Sequence, residues 1–508
     1  MLVLDKTGLW AGHVNVWGDW AAHISYVTTL SAQNFFPPQF PILAGHVLSY
    51  PFGSDLISAI LVRLSSPLVE SMLVPSFLFS ILLVVALFLF YKTILQDGKT
   101  ASLAIFLFLL NGGLGFLWFI NDFAGIGPGI LASLPREYTL MRDGPNIQWI
   151  NIIISELIPQ RGFLLGLPLT LLVFLVFWQI YTKQRVAMWK IIITGVITGL
   201  MPIIHMHSFL VILLVGVWTI FLVALHTKKI PLIMLLFPAI TFLLALPIIH
   251  TFYPHFGTTP ILFQPGWLAS EGSDNIFFFW LKNAGIMLFL PLLGLRLAPK
   301  GLVLWTLPLL GLFAANNLFV FQPYAWDNTK FFTYWWLASA GFASIFLKHI
   351  AAKGLQFKIL ALIFAVIAIA SGSLDILRVT QYEQNKIRLL SAQDIELATW
   401  AKNNTPKESI FLTAPNHDNP IAMLSGRRIV LGFLGWLWTY GVDIGNRQSM
   451  VERLYEGDLT PIKELQVDFV VIGPQERYRF AGLNEEFFAK NYPVVFEQDD
   501  TRVFAINP

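Results

Sequence analysis

Ten stretches of the chain are apolar for long enough to cross a bilayer as helices, which takes about 20 residues. They lie near 68–92, 101–121, 162–182, 189–206, 207–226, 230–252, 276–296, 301–320, 331–348 and 357–377. The polar connections between them alternate in kind. Those near 92–100, 182–190, 226–230, 296–300 and 348–358 each carry at least two Lys or Arg, and together a single acid, Asp97. Such cationic short loops face the cytoplasm. The rest then face outward: 1–67, 122–161, the turn at 205–208, 253–275, 321–330 and everything after about 378. An even number of spans puts both ends outside, whereas one further helix before residue 1 would start the chain in the cytoplasm. Met1–Trp10 has no charged start followed by an apolar core, so no cleavable signal peptide is expected.

After about residue 381 the pattern becomes that of a soluble domain. Ala392–Asn403 reads as a helix, 409–414, 467–473 and 494–496 as short strands, and 450–455 and 485–491 as helices. The expected division is a first outer loop with juxtamembrane helices (1–67), a transmembrane helical domain (68–380) and an outer soluble α/β domain (381–508). The fold class is thus a polytopic α-helical membrane protein with a C-terminal extracytoplasmic α/β domain.

Composition agrees. Of 508 residues 56% are hydrophobic and 12% charged, which excludes an ordinary soluble domain. There is no cysteine, so disulfides, thiolate catalysis and Cys-ligated metals are excluded. No phosphate-binding glycine loop, GxSxG, HExxH or dinucleotide fingerprint occurs, which argues against an ATP-driven pump and the common hydrolases. No nucleic-acid partner is expected.

The outward segments hold nearly all the polar residues with chemical potential, and the first of them is the richest. Asp19, between Trp17 and Trp20, suits a base that deprotonates an acceptor hydroxyl, a ligand for a divalent cation such as Mg or Mn, or the N-cap of an interfacial helix. His23 follows four residues later on the same helical face, as base partner, orienter or plain contact. His46, Tyr50 and Asp55 lie in AGHVLSYPFGSD, where Ser54 or Asp55 also reads as a helix cap. The second outer loop carries Arg136, Glu137, Arg142, Asp143, Asn146, Gln148, Asn151 and Glu156, then Pro159-Gln160-Arg161. Arg161 suits a bidentate grip on phosphate or a snorkelling interfacial anchor, with Glu156 as a partner either way. His205 and His207 flank Met206 in a turn, where a capping or headgroup role competes with a metal site. Asp327, Asn328 and Lys330 offer an acid, an amide and a cation, Lys330 as a phosphate ligand and Asp327 or Asn328 as a cap. In the soluble domain, Arg427, Arg428, Trp436, Trp438 and Tyr440 suit a sugar or lipid-phosphate cleft, or a surface that docks on the membrane.

This layout resembles the GT-C superfamily of integral-membrane glycosyltransferases. The resemblance covers the plan of the whole chain: an acidic first outer loop, many spans, polar outer loops and an external α/β domain. It implies a polyprenyl- or dolichyl-phosphate sugar donor and a glycan, lipid or protein acceptor. It also implies an essential acid in the first outer loop, at Asp19. Trp20 and Ala21 follow Asp19, so the paired-acid form of that motif is absent, and WLWTYG at 436–441 has Thr439 where the oligosaccharyltransferase WWDYG has its acid. On this resemblance Asp19 would activate the acceptor hydroxyl for a single inverting displacement on the extracytoplasmic face. Arg161, Lys330 or a histidine would stabilise the departing lipid phosphate. His23, His46, Tyr50, Asp55, Glu156, Gln160, His205, His207, Asp327 and Asn328 would contact substrate. A transporter or flippase for a lipid-linked sugar is the alternative, but such proteins place ionisable groups at mid-membrane and show repeats. A non-catalytic envelope assembly factor is a third reading, under which Asp19 would be dispensable.

Overall fold

The computed structural model describes residues 1–506 except 35, 184–185, 230–231, 254–259 and 273. Parts of the 182–190, 226–230 and 253–275 connections, and the start of the 230–252 span, lie outside the described residues. The chain forms two compact units: Met1–Ser76 with Ile249–Thr258 and Lys386–Pro508, and Phe77–Ile248 with Thr259–Asn385.

The ten apolar stretches are mainly helical among the described residues, but fewer are full spans. Among the described residues six helices are long and apolar enough to cross a membrane: Leu68–Leu95, Arg161–Lys183, Met206–Thr227, Ile233–Phe252, Lys300–Leu318 and Leu355–Thr380. A seventh arises if Ile276–Leu288 and Leu290–Leu297, bent by 46°, count as one. The expected ten is corrected for local reasons. The 101–121 stretch splits into Gly98–Leu109 and Phe116–Ile126. Between them the Asn111 side chain accepts from Ile152 N–H at 2.7 Å and donates to Ile150 O at 3.2 Å. A Cβ at Gly115 would lie 1.7 Å from the Tyr138 carbonyl oxygen, so the chain turns there on glycine. Met188–Ile204 has only 17 residues.

Thr329–Ala351 is long but interleaves Thr, Tyr, Trp and Ser with its apolar residues, as its position requires. It is buried along most of its length and packed by Gly98–Leu109, Met206–Thr227, Leu290–Leu297, Lys300–Leu318 and Leu355–Thr380. Polar groups inside such a bundle must find partners within it. Trp336 Nε1 donates to Leu107 O at 3.0 Å, and Tyr91 Oη donates to Leu337 O at 2.7 Å.

In the first unit Leu2–Asp5 and Gly8–Ala11 make an antiparallel hairpin whose second strand pairs with Ile387–Ser391. The Asp5 carboxylate accepts from the Thr7 and Gly8 N–H groups and so closes the turn. A five-stranded sheet runs in the order Arg428–Ile429, Ile410–Leu412, Phe469–Ile472, Thr501–Ala505, Val494–Gln498. Its first three strands are parallel and the last two antiparallel. Ala392–Asn404 starts on a capping box of Ser391 and Asp394. Val14–Ala32 packs on Gly53–Arg63 and on the turn Ile421–Ser425.

Candidate functional site

The polar residues singled out in the sequence fall into two clusters, one in each unit. The first is built on Val14–Ala32. His13 caps that helix, its Nδ1 accepting from Asn15 N–H at 3.2 Å, so the N-cap reading of Asp19 is corrected. Asp19 sits inside the helix, half-buried, with its charge acting on the phenols of Tyr26 and Tyr440. One turn on, His23 is buried with Nδ1 2.8 Å from Asp55 Oδ2, and Asp55 is wholly enclosed. Asp55 and Ser54 are not caps either: Phe52 occupies the N-cap of Gly53–Arg63 without a side-chain bond, and Asp55 turns inward to the imidazole.

Aromatic rings surround this pair. Tyr50 lies 5.7 Å from His23, 5.2 Å from Tyr26 and 4.8 Å from Tyr440, centroid to centroid. Burial pushes the Tyr440 hydroxyl well above its ordinary value, so it remains a neutral phenol. His46 is half-buried in the loop, its carbonyl accepting from Phe40 N–H at 2.8 Å. His417, which sequence reasoning passed over, joins through the same helix: Nε2 donates to Gly18 O at 2.7 Å and the ring stacks 4.2 Å from Trp17. Burial lowers its pKa and raises that of Asp418. The signal available for it was the turn-rich PNHDNP at 415–420.

The arginines of the same domain serve structure. Arg427 is buried and donates to the carbonyls of Ser425, Lys402 and Thr405, and Arg428 bonds Gln39 and the Glu408 carbonyl. Of the expected cleft or docking residues, Trp438 is exposed while Trp436 is buried.

The second cluster is held by a scaffold of buried amides. Asn283 Oδ1 accepts from Gln148 and Trp149 N–H, both at 2.7 Å, and its Nδ2 donates to Asn146 O. Asn151 Nδ2 donates to Leu109 O, and Asp375 accepts from Tyr138 N–H, Thr139 N–H and the Thr139 hydroxyl. Asn146 Nδ2 donates to Ala269 O and Asp274 Oδ2, and Gln148 Nε2 to Asn146 Oδ1; the loop these amides fix delivers a π-turn, Ile153–Leu157, that carries Glu156. Such turns recur at functional sites.

Glu156 is buried, and its Oε2 accepts from the Thr333 hydroxyl at 2.5 Å. Its Oε1 has no hydrogen-bond partner among the described residues. Burial pushes the carboxyl up to about 7, while Thr333 and Lys330 pull it down. Gln160 is half-buried and its carbonyl accepts the first N–H groups of the next helix. Arg161, the first residue of that helix, is fully buried, so it is not a snorkelling anchor.

His205 is a cap: its Nδ1 accepts from Ser208 N–H at the start of Met206–Thr227 and meets Ser208 Oγ at 2.7 Å. Ser208 Oγ in turn bonds Tyr334 Oη at 2.6 Å. A Cβ on Gly166 would lie 2.7 Å from His205 Cβ, so glycine admits the imidazole. His207 lies 5.3 Å from His205, ring to ring, and its side chain meets Gln322. Lys330 is buried with Nζ 2.8 Å from Asp327, and its charge acts on Glu156, His205 and His207. Asn328 does not cap Thr329–Ala351 with its side chain: Oδ1 accepts from Phe321 N–H and Nδ2 donates to Ala325 O. The structure therefore gathers Glu156, His205, His207, Asp327 and Lys330, and adds Thr333, Tyr334 and Gln322.

Among the described residues no three His, Asp or Glu side chains come close enough together to hold a metal ion.

The fold is similar to that of a solved membrane-protein structure. The apo crystal structure of ArnT from Cupriavidus metallidurans aligns with 99% of this chain and 94% of its own, with a TM-score of 0.51 at 12% identity. The same protein bound to undecaprenyl phosphate gives 0.49 at 12% identity, over 99% of this chain and 95% of that one. The Archaeoglobus fulgidus oligosaccharyltransferase, tethered to an acceptor peptide containing the NVT sequon, gives 0.49 at 14% identity over 94% of this chain and 68% of that one. No family model and no curated protein matches the sequence. At these identities the likeness is one of fold.

Proposed function

We propose that the protein is an inverting membrane glycosyltransferase that moves a sugar from a polyprenyl-phosphate donor to an acceptor hydroxyl on the extracytoplasmic face. The observation that carries the reading is a half-buried carboxylate, Asp19, in the first polar segment of a chain whose fold is similar to that of ArnT. The cation-rich short loops support this orientation, since such loops favour the cytoplasmic side.

The acceptor oxygen attacks the anomeric carbon and its proton passes to Asp19. The bond from that carbon to the phosphate oxygen breaks, and the electron pair leaves with the lipid phosphate. Positive charge facing the departing oxygen would stabilise this leaving group. His23, held by Asp55, fixes the helix turn that presents Asp19. No step is assigned to a metal. ArnT has been crystallised with undecaprenyl phosphate, and a lipid phosphate of that class is the carrier proposed here.

The test incubates membranes containing the wild type or Asp19→Asn with radiolabelled polyprenyl-phosphate sugars, against empty-vector membranes. Label should move to an acceptor with the wild type and not with the variant. Equal transfer by both would remove Asp19 as the base.

A further inference from the structure

We propose that the Glu156 cluster is a subsite for the donor's sugar ring, and that it selects an uncharged, hydroxyl-rich sugar. The inference rests on the glycosyltransferase reading and adds to it the chemical class of the transferred group.

Buried polar atoms in folded proteins are almost always paired. Three side chains here are not, among the described residues: Glu156 Oε1, His205 Nε2 and Gln322 Nε2. Glu156 is 2% exposed and His205 5%. All three belong to one neighbourhood. Lys330 acts on both Glu156 and His205, while Gln322 meets His207, whose ring is 5.3 Å from that of His205. The other atoms of these side chains are committed: Glu156 Oε2 to Thr333, and His205 Nδ1 to Ser208, itself bonded to Tyr334. Each open atom is therefore held in direction by its own second contact.

Their chemistry is that of sugar recognition. A carboxyl oxygen accepts, an amide NH₂ donates, and an imidazole nitrogen does either. The charge balance argues against a phosphate on these same atoms. Lys330 already has Asp327 at 2.8 Å, and one of the three open atoms is itself a carboxyl oxygen. An anionic sugar such as a uronic acid is disfavoured for the same reason. In a glycosyl phosphate the ring is one bond from the phosphate oxygen, so groups beside a bound lipid phosphate are within reach of the sugar's hydroxyls.

The test uses the full chain in nanodiscs and measures binding of undecaprenyl phosphate and of its glucosyl, mannosyl, galactosyl and glucuronyl conjugates. At least one neutral conjugate should bind about tenfold tighter than the bare lipid phosphate, the glucuronyl one should not, and Glu156→Gln should remove that gain while leaving bare-lipid affinity unchanged. Thr333→Val, which releases the carboxyl from its anchor, should reduce the same gain. Should Glu156→Gln leave the gain intact, or weaken bare lipid equally, the subsite is overturned and the transferase reading survives. Absence of binding by any of the lipids to the wild type would overturn the transferase reading and the subsite with it.

Discussion

In the first unit the buried carboxylate of Asp55 is met by His23 at 2.8 Å, and Tyr26, Tyr50 and Tyr440 crowd around the pair. In the second unit the buried carboxylate of Glu156 has one oxygen on Thr333 and the other on no described group. The two buried carboxylates differ in completion. A closed pair of opposite partners is a support: it fixes a helix turn and presents the half-buried Asp19. An open carboxylate and an open imidazole are what the proposed sugar subsite rests on. Burial of a polar group thus carries two meanings, and the partner count separates them.

The largest effect should come from opening the closed cluster. Removing one member of the buried His23–Asp55 hydrogen bond leaves the other unsatisfied, at a cost of about 3 kcal/mol. His23→Ala and Asp55→Ala should each lower the melting temperature in detergent sharply, whereas a matched apolar double replacement should recover most of the loss. A small effect of either single change would show that the pair is not a support.

The open cluster should instead reveal itself through pH. Burial raises the Glu156 carboxyl from 4.5 to about 7, so the native state holds this proton more tightly than the unfolded chain. Its contribution is complete below about 4.5 and is lost as pH rises through about 7, up to about 3 kcal/mol in all. Melting curves from pH 4.5 to 8 should show this decline in the wild type and not in Glu156→Gln. Identical slopes would mean that the carboxyl ionises freely in the fold.

A smaller loss is expected at the loop scaffold. Asp375→Asn keeps the shape but weakens bonds to Tyr138 and Thr139, at about 1–2 kcal/mol. Smallest should be His417→Ala, which gives up the bond to Gly18 O and the stack on Trp17 for about 1 kcal/mol. Both are read by thermal unfolding.

Much of this was legible in the sequence. The apolar stretches are mainly helical among the described residues, and Ala392–Asn404, Ile410–Leu412 and Phe469–Ile472 lie where alternation and capping residues put them. Periodicity reports burial, however, and not where a helix is broken. The break between Leu109 and Phe116 admits the Lys282 carbonyl at Gly113 and the Tyr138 carbonyl at Gly115, the first of them far away in sequence, so 101–121 looked continuous. The hairpin at Leu2–Ala11 closes a sheet with a strand nearly four hundred positions on, which no local pattern announces. Among site residues, Asp19 and His23 could be placed on one helical face by their spacing. Asp55 looked like a cap because a polar residue before an apolar run usually is one, and its partner lies 32 residues away. Thr333, Tyr334 and Gln322 sat inside or beside apolar stretches, where a hydroxyl or amide reads as filler until its partner is seen.

The most direct test of the central claim separates binding from chemistry at Asp19. Purified wild type and Asp19→Asn would be compared for undecaprenyl-phosphate sugar affinity and for single-turnover release of lipid phosphate with acceptor membranes. The account predicts that the variant binds donor within a fewfold of the wild type and releases at least a hundredfold less lipid phosphate. Release at the wild-type rate by Asp19→Asn would contradict it.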